Sequence, residues 1–158
     1  MTYLGDSGAV SAAFHPTHAA EQAVMGSGST GRFVAPGSVT QGRFGLYEWH
    51  MPARTGGADA HFHRTFSESF YVMNGTVQLY DGARWVDASA GDFLHVPEGG
   101  VHGFRNVGEA AASMLILFAP GIARETYFRE LADIAAAGRQ LSEEEWTELF
   151  ARHDQYRA

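Results

Sequence analysis

The sequence predicts an all-β domain closed by a short C-terminal pair of helices. Three observations lead there. Nineteen glycines stand against a charged share of 18%, a balance that favours tight turns over a helical bundle. Short apolar segments recur between turn dipeptides such as Asn74-Gly75 and Asp81-Gly82. After Pro120-Gly121 the apolar period lengthens to that of a helix. With 45% apolar and 13% aromatic residues, a chain of 158 residues has enough material for one domain with its own core.

The elements follow in order. Residues 1–29 are small and polar around Gly26-Ser27-Gly28-Ser29 and read as a flexible arm able to reach a partner subunit. Strands are expected over Gly31–Ala35 and Phe44–Met51. In the second, Phe44, Leu46, Glu48 and His50 face one way and Tyr47, Trp49 and Met51 the other. Pro52 to Ala60 reads as a glycine-rich connection. Ser69–Met73 and Thr76–Tyr80 flank the Asn74-Gly75 hairpin signal. Further strands are expected over Arg84–Asp87, Phe93–Val96 and His102–Arg105. Ser113–Ala119 is apolar from its second residue onward and is expected to be buried on both faces. Beyond residue 120, Ile122, Tyr127, Phe128, Leu131, Ile134 and Ala135 form a helical stripe that Gly138 can end. A second helix begins at the capping box Ser142/Glu145, with Leu141 and Trp146 at the staple positions. The organisation is thus an arm over 1–29, a β barrel over 30–120 and helices packing on it over 121–158.

Charge and composition narrow the function. A net charge of −7 argues against a nucleic-acid partner. The chain contains no cysteine, which removes disulfides, thiolate ligands and a cysteine nucleophile. All eleven basic residues are arginine, so no lysine Schiff base can form. Met1 to Phe14 lacks the basic start and apolar run of a signal peptide, and no segment approaches the roughly 20 apolar residues of a membrane span. The expected setting is cytoplasmic, with no membrane partner.

The chemistry lies in two histidine stretches. His61 and His63 are two apart, so on a strand both project to one side. Glu68 joins them if the chain bends near Arg64–Ser67, and it begins an inward row with Phe70 and Val72. His102 comes from the second stretch, after the turn at Pro97, Gly99 and Gly100. Three imidazoles and one carboxylate suit a divalent first-row metal: Fe, Mn, Ni, Co, Cu or Zn. His15, His18 and His153 are expected at the surface, while His50 and His95 are candidates for places behind the ligands or in the pocket.

These stretches resemble the two motifs of the cupins. The first motif, G-x5-H-x-H-x3–4-E-x6-G, is matched from His61 to Gly75 in GGADAHFHRTFSESFYVMNG. Only the opening glycine departs, since Gly56 precedes His61 with one residue fewer between them. The second, G-x5-P-x-G-x2-H-x3-N, is matched at every defined position of GDFLHVPEGGVHGFRN. The resemblance implies a double-stranded β-helix, a jelly-roll barrel, with a metal inside one mouth held by His61, His63, Glu68 and His102. The C-terminal segment is similar to that of small bacterial cupins resembling quercetin 2,3-dioxygenase. Single-domain members commonly pair, so a homodimer is expected, with unpaired edge strands as one route.

Three functions are open at this stage. The first is a metal-dependent dioxygenase of quercetinase-like type, taking O2 and a small hydrophobic or aromatic enolisable substrate, with Glu68 as catalytic proton acceptor. The second is a non-redox isomerase, cyclase or lyase acting on a dicarbonyl or polyketide-like substrate. The third is a non-catalytic small-molecule binding protein. The pocket wall is expected to include Phe70, Val72 and Phe104, with Leu46, Tyr47, Trp49 and Phe93 as further lining candidates.

Overall fold

A computed structural model describes residues 2–158. In chain order the strands are β1 (Gln22–Val24), β2 (Thr30–Ala35), β3 (Gly45–Met51), β4 (Thr55–Phe62), β5 (Ser67–Asn74), β6 (Thr76–Tyr80), β7 (Trp85–Ser89), β8 (Phe93–Val96), β9 (His102–Asn106) and β10 (Ala112–Ala119). Two helices follow, α1 (Arg124–Ala136) and α2 (Glu143–Arg152), and then β11 (Tyr156–Arg157). One sheet has six strands in the order β1-β2-β3-β10-β5-β8, the other five in the order β11-β4-β9-β6-β7. The assigned strand pairs are antiparallel. This is the double-stranded β-helix that the sequence predicts, with mostly β structure and two short helices.

Alternation places the core between the sheets. On β3, Tyr47, Trp49 and Met51 are buried while His50 is exposed. On β5, Glu68, Phe70 and Val72 share the inward face, opposite Phe118, Ile116 and Met114 of β10. Gly75 makes the β5–β6 turn with φ +75°, and a Cβ there would stand 2.7 Å from the Ala111 carbonyl oxygen, so only glycine fits.

Helix α1 lies over the open side of the barrel. Phe128 packs against Tyr47 at 5.2 Å and Trp49 at 5.0 Å between ring centroids. Glu125, also buried, accepts a hydrogen bond from Tyr47 Oη at 2.8 Å. Burial, reinforced by that carboxylate, pushes the Tyr47 phenol well above its ordinary range. Helix α2 has the expected cap: Ser142 Oγ accepts from the Glu145 amide at 3.2 Å and Glu145 Oε2 from the Ser142 amide at 2.8 Å. The two helices meet where His153 Nε2 donates to Glu130 Oε2 at 2.7 Å.

Four segments differ from the sequence expectation. Pro52 to Ala60 is largely strand: β4 starts at Thr55 and pairs with β9 across two register shifts. Its glycines allow close approach, since a Cβ on Gly57 would stand 2.2 Å from the Phe104 carbonyl oxygen. Part of the supposed arm also belongs to the sheet, because β1 pairs with β2 and Glu21 bridges to Arg129 of α1 at 2.6 Å. With one inward residue, Ala23, β1 carries no readable alternation. Strand β10 is central, yet Leu115, Leu117 and Ala119 on its outer face remain partly exposed because no layer covers them. His153 is largely buried by its contact with Glu130, and His15 is half-buried against the Val34 carbonyl oxygen, whereas His18 is exposed as expected.

Two stability predictions follow from the helices. Ser142→Ala removes the cap and is expected to cost about 1 kcal/mol in chemical denaturation without changing the β-sheet circular dichroism signal. The hydrogen bond from His153, helped by Arg152, holds the Glu130 carboxyl below the usual carboxylate range. Its contribution is therefore complete above pH 4.5 and lost as pH falls through the depressed folded value. Glu130→Gln should lower the melting temperature at pH 7, and the gap to the wild type should close in more acid buffer.

Candidate metal centre

The four motif residues meet at one end of the barrel, and both sheets contribute. His61 of β4 and His102 of β9 are direct partners across the five-stranded sheet, with ring centroids 4.3 Å apart. His63 follows the end of β4, where the chain bends over residues 64–65. Glu68 arrives from β5 of the opposing sheet. All four are buried, and one donor atom from each lies within 4.8 Å of the others.

Backbone carbonyls orient the imidazoles. Nδ1 of His61 stands 2.6 Å from the Asp59 oxygen, Nδ1 of His63 2.6 Å from the Asp154 oxygen, and Nδ1 of His102 2.9 Å from the Gly100 oxygen. A carbonyl only accepts, so each Nδ1 carries the hydrogen and a neutral ring keeps its lone pair on Nε2. Nε2 of His63 lies 3.0 Å and Nε2 of His102 2.8 Å from Glu68 Oε2. Lone pairs aimed at a carboxylate oxygen repel unless positive charge stands among them. Two donors held about 2.0–2.1 Å from one ion at a right angle are about 2.9 Å apart, so this donor set fits a divalent transition metal.

The titration behaviour has the same origin. Burial, with His102 nearby, pushes the His61 imidazole down to about 3. Burial also opposes charge on His102, but the adjacent Glu68 carboxylate outweighs it and raises that imidazole. For Glu68 burial acts upward and is overcome by the hydrogen bonds of His102 and His63, leaving the carboxyl well below its usual range.

A cavity of about 880 Å³ adjoins the cluster and is bordered by His61 and Glu68. Its barrel wall includes Trp49, Phe104, Ile116 and Phe118, and helices α1 and α2 add Tyr127, Phe128, Leu131, Trp146 and Phe150. Of the seven lining candidates, Trp49 and Phe104 border this space. Phe70, Val72 and Tyr47 are fully buried in the barrel core instead. Leu46 lies on the other face of β3 from Trp49, and Phe93 is 64% exposed. His50 and His95 also sit on outer faces: His50 pairs with Glu48 at 2.7 Å, and His95 Nδ1 contacts Ser69 Oγ at 2.9 Å.

Two contributors were not legible in the sequence. Arg124, at the start of α1, is buried on the cavity wall. Asp154 has φ +51°, and its carboxylate accepts from the amides of Arg64 and Thr65 and from Thr65 Oγ1 at 2.7 Å while its carbonyl holds His63. Strand β11 then continues alongside β4, opposite Phe62 and His61. No local pattern links position 154 to position 63; the only hint is a charged residue that interrupts no apolar stripe.

A two-sheet β barrel with three inward imidazoles and one carboxylate at its mouth defines a class of metal-centred barrels. Residues 47–118, the stretch that holds all four motif residues, match the family model of the cupin domain, and the fold has cupin neighbours among solved structures. Quercetin 2,3-dioxygenase of Bacillus subtilis is 31% identical over 102 residues, which is 65% of this chain. The chain spans only 29% of that relative's length. Among solved structures, an RmlC-like cupin from Shewanella frigidimarina superposes with a TM-score of 0.61 at 22% identity, covering 74% of this chain and 96% of the other. The polyketide cyclase RemF from Streptomyces resistomycificus gives a TM-score of 0.57 at 20% identity, covering 67% and 78% respectively. These two likenesses are of fold. Among the described residues, no helix is long and apolar enough to cross a membrane.

Metal analysis tests the centre. The purified chain should hold about one divalent ion, and His61→Ala, His63→Ala, Glu68→Ala and His102→Ala should each lose most of it by mass spectrometry of the elements. Asp154→Ala removes no donor but frees the segment that carries His63. It should weaken metal binding by roughly tenfold, measured against a competing chelator, with the far-ultraviolet spectrum unchanged.

Proposed function

We propose that this chain is a metal-dependent enzyme, a quercetinase-like dioxygenase acting on a small, planar, enolisable substrate with O2 as co-substrate. The observation that carries the reading is the union of a buried His61/His63/Glu68/His102 cluster with an aromatic-walled cavity large enough for such a molecule. Its local similarity to quercetin 2,3-dioxygenase supports the same reading. When bound, the metal supplies Lewis-acid stabilisation of substrate oxygen and a site for O2.

The protein's own residues set the terms of the reaction. Trp49, Phe104 and Phe118 exclude water and favour a flat apolar ring. Glu68 is the proton acceptor of this reading. Its depressed titration keeps it ionised at neutral pH, so it takes a proton only from a strongly acidified hydroxyl or activated carbon. The carbonyls of Asp59, Asp154 and Gly100 hold the imidazoles in one tautomer while that proton moves.

A second reading keeps the centre and replaces the oxygen chemistry with isomerisation or cyclisation of a dicarbonyl substrate. The fold shared with a polyketide cyclase favours considering it. Elemental analysis combined with oxygen-electrode measurements separates the two. Iron, manganese, nickel or copper, with oxygen uptake on a flavonol or a β-diketone, is the expected result. Zinc without uptake on either compound overturns the dioxygenase reading in favour of the second. Absence of any bound metal from an active preparation overturns both.

A further inference from the structure

Among the described residues, three buried side-chain polar atoms have no hydrogen-bond partner: Ser29 Oγ, Trp49 Nε1 and Arg124 Nε. All three belong to residues that line the cavity beside the metal cluster. The coincidence is informative because native proteins leave few such atoms, and each calls for an explanation. Two of the three are donors only.

Arg124 carries the greater cost. It is 3% exposed, and a guanidinium keeps its charge under all ordinary conditions. Nη1 donates to the His153 carbonyl oxygen at 2.9 Å and Nη2 to Gln155 Oε1 at 2.6 Å, and both acceptors are neutral. The Tyr127 ring lies 4.0 Å beneath it. Among the described residues, no carboxylate stands within ion-pair distance of it. The buried acid on the cavity wall, Glu68, is already committed to His63 and His102. The other charged residues on the wall, Asp59, Arg139, Glu143 and Arg157, are exposed to solvent. A buried cation without a counter-ion is unfavourable, and an anion brought by a ligand removes that cost.

We propose that the cavity takes an anionic ligand: a planar conjugated molecule whose ionised oxygen, carboxylate or enolate, pairs with Arg124. The ring lies against the apolar wall, and a second, neutral oxygen meets the free donor of Trp49. This rests on the reading of the cavity as the substrate site and makes Arg124 a specificity-determining residue. A divalent ion offset by one Glu68 carboxylate leaves the centre positive, so the ligand's negative charge would be met from two sides.

The test compares 1-naphthoate with its neutral isostere 1-naphthamide by titration calorimetry, on metal-loaded and on chelator-treated protein. The carboxylate should bind roughly tenfold more tightly or better in both forms, the scale of a charge-assisted hydrogen bond. Arg124→Gln should erase that preference and Arg124→Lys should restore it. Equal binding of the two compounds by the unmodified chain overturns the proposal without any variant that must fold. So does a preference that survives Arg124→Gln, or one seen only with metal, which would assign the anion to the ion. A flavonol titrated alongside tests the enolate: a red shift of its absorption on binding that Arg124→Gln removes upholds it, and binding with the spectrum of the neutral hydroxyl overturns the enolate half of the proposal. Oxygen uptake is scored separately. Its loss with the preference intact overturns the dioxygenase reading alone.

Discussion

Three hydrogen bonds from imidazole Nδ1 atoms to backbone carbonyls govern how this molecule is built around its centre. They fix the tautomer of His61, His63 and His102 and turn the Nε2 atoms inward. The carbonyls belong to three separate places: the β4 strand itself, the turn before β9, and the end of the chain at Asp154. Strand pairing, turn geometry and C-terminal docking therefore all converge on one electrostatic requirement. The four inward groups offer acceptors and one negative charge, so the barrel mouth is stable only with a cation or proton in it.

That requirement explains why the second sheet matters. Glu68 reaches the imidazoles because β5 faces β4 and β9 across the core, in register with Phe118 of β10 and Val96 of β8. The same inward row continues through Phe70 and Val72, which are fully buried and fill the barrel core beyond the cluster. The cavity beside the cluster lies on its other side, where α1 and α2 supply part of the wall.

Helix α1 consequently has two roles. Phe128 completes the aromatic core with Phe33, Tyr47 and Phe118, while Arg124, Tyr127 and Leu131 form cavity wall. The buried Tyr47–Glu125 hydrogen bond and the Glu130–His153 contact hold α1 to the barrel and to the end of α2. A helix so anchored can carry a guanidinium without a counter-ion, because the His153 carbonyl, Gln155 and the Tyr127 ring hold it in place at the cavity wall.

What the amino-acid sequence determined by itself is whatever depends on near neighbours. The two-residue spacing of His61 and His63, the hairpin at Asn74-Gly75, the Ser142/Glu145 cap and the helical period after Pro120 are local, and each was legible. The motif order also marked Glu68 and His102, since turn glycines and prolines at fixed intervals constrain where the chain returns. Tertiary structure alone decided the rest. Gly57 reads as part of a connection until Phe104 packs against it and Thr55 and Ala58 pair with β9 on either side. Leu46 and Phe93 could not be told from lining residues, because facing on a strand is relative until the opposite sheet is placed. Arg124 and Asp154 acquire their roles only across 56 and 91 residues from Glu68 and His63. Such contacts leave no periodic trace in the chain, since they arise from how whole sheets and helices stack and not from the preferences of adjacent residues.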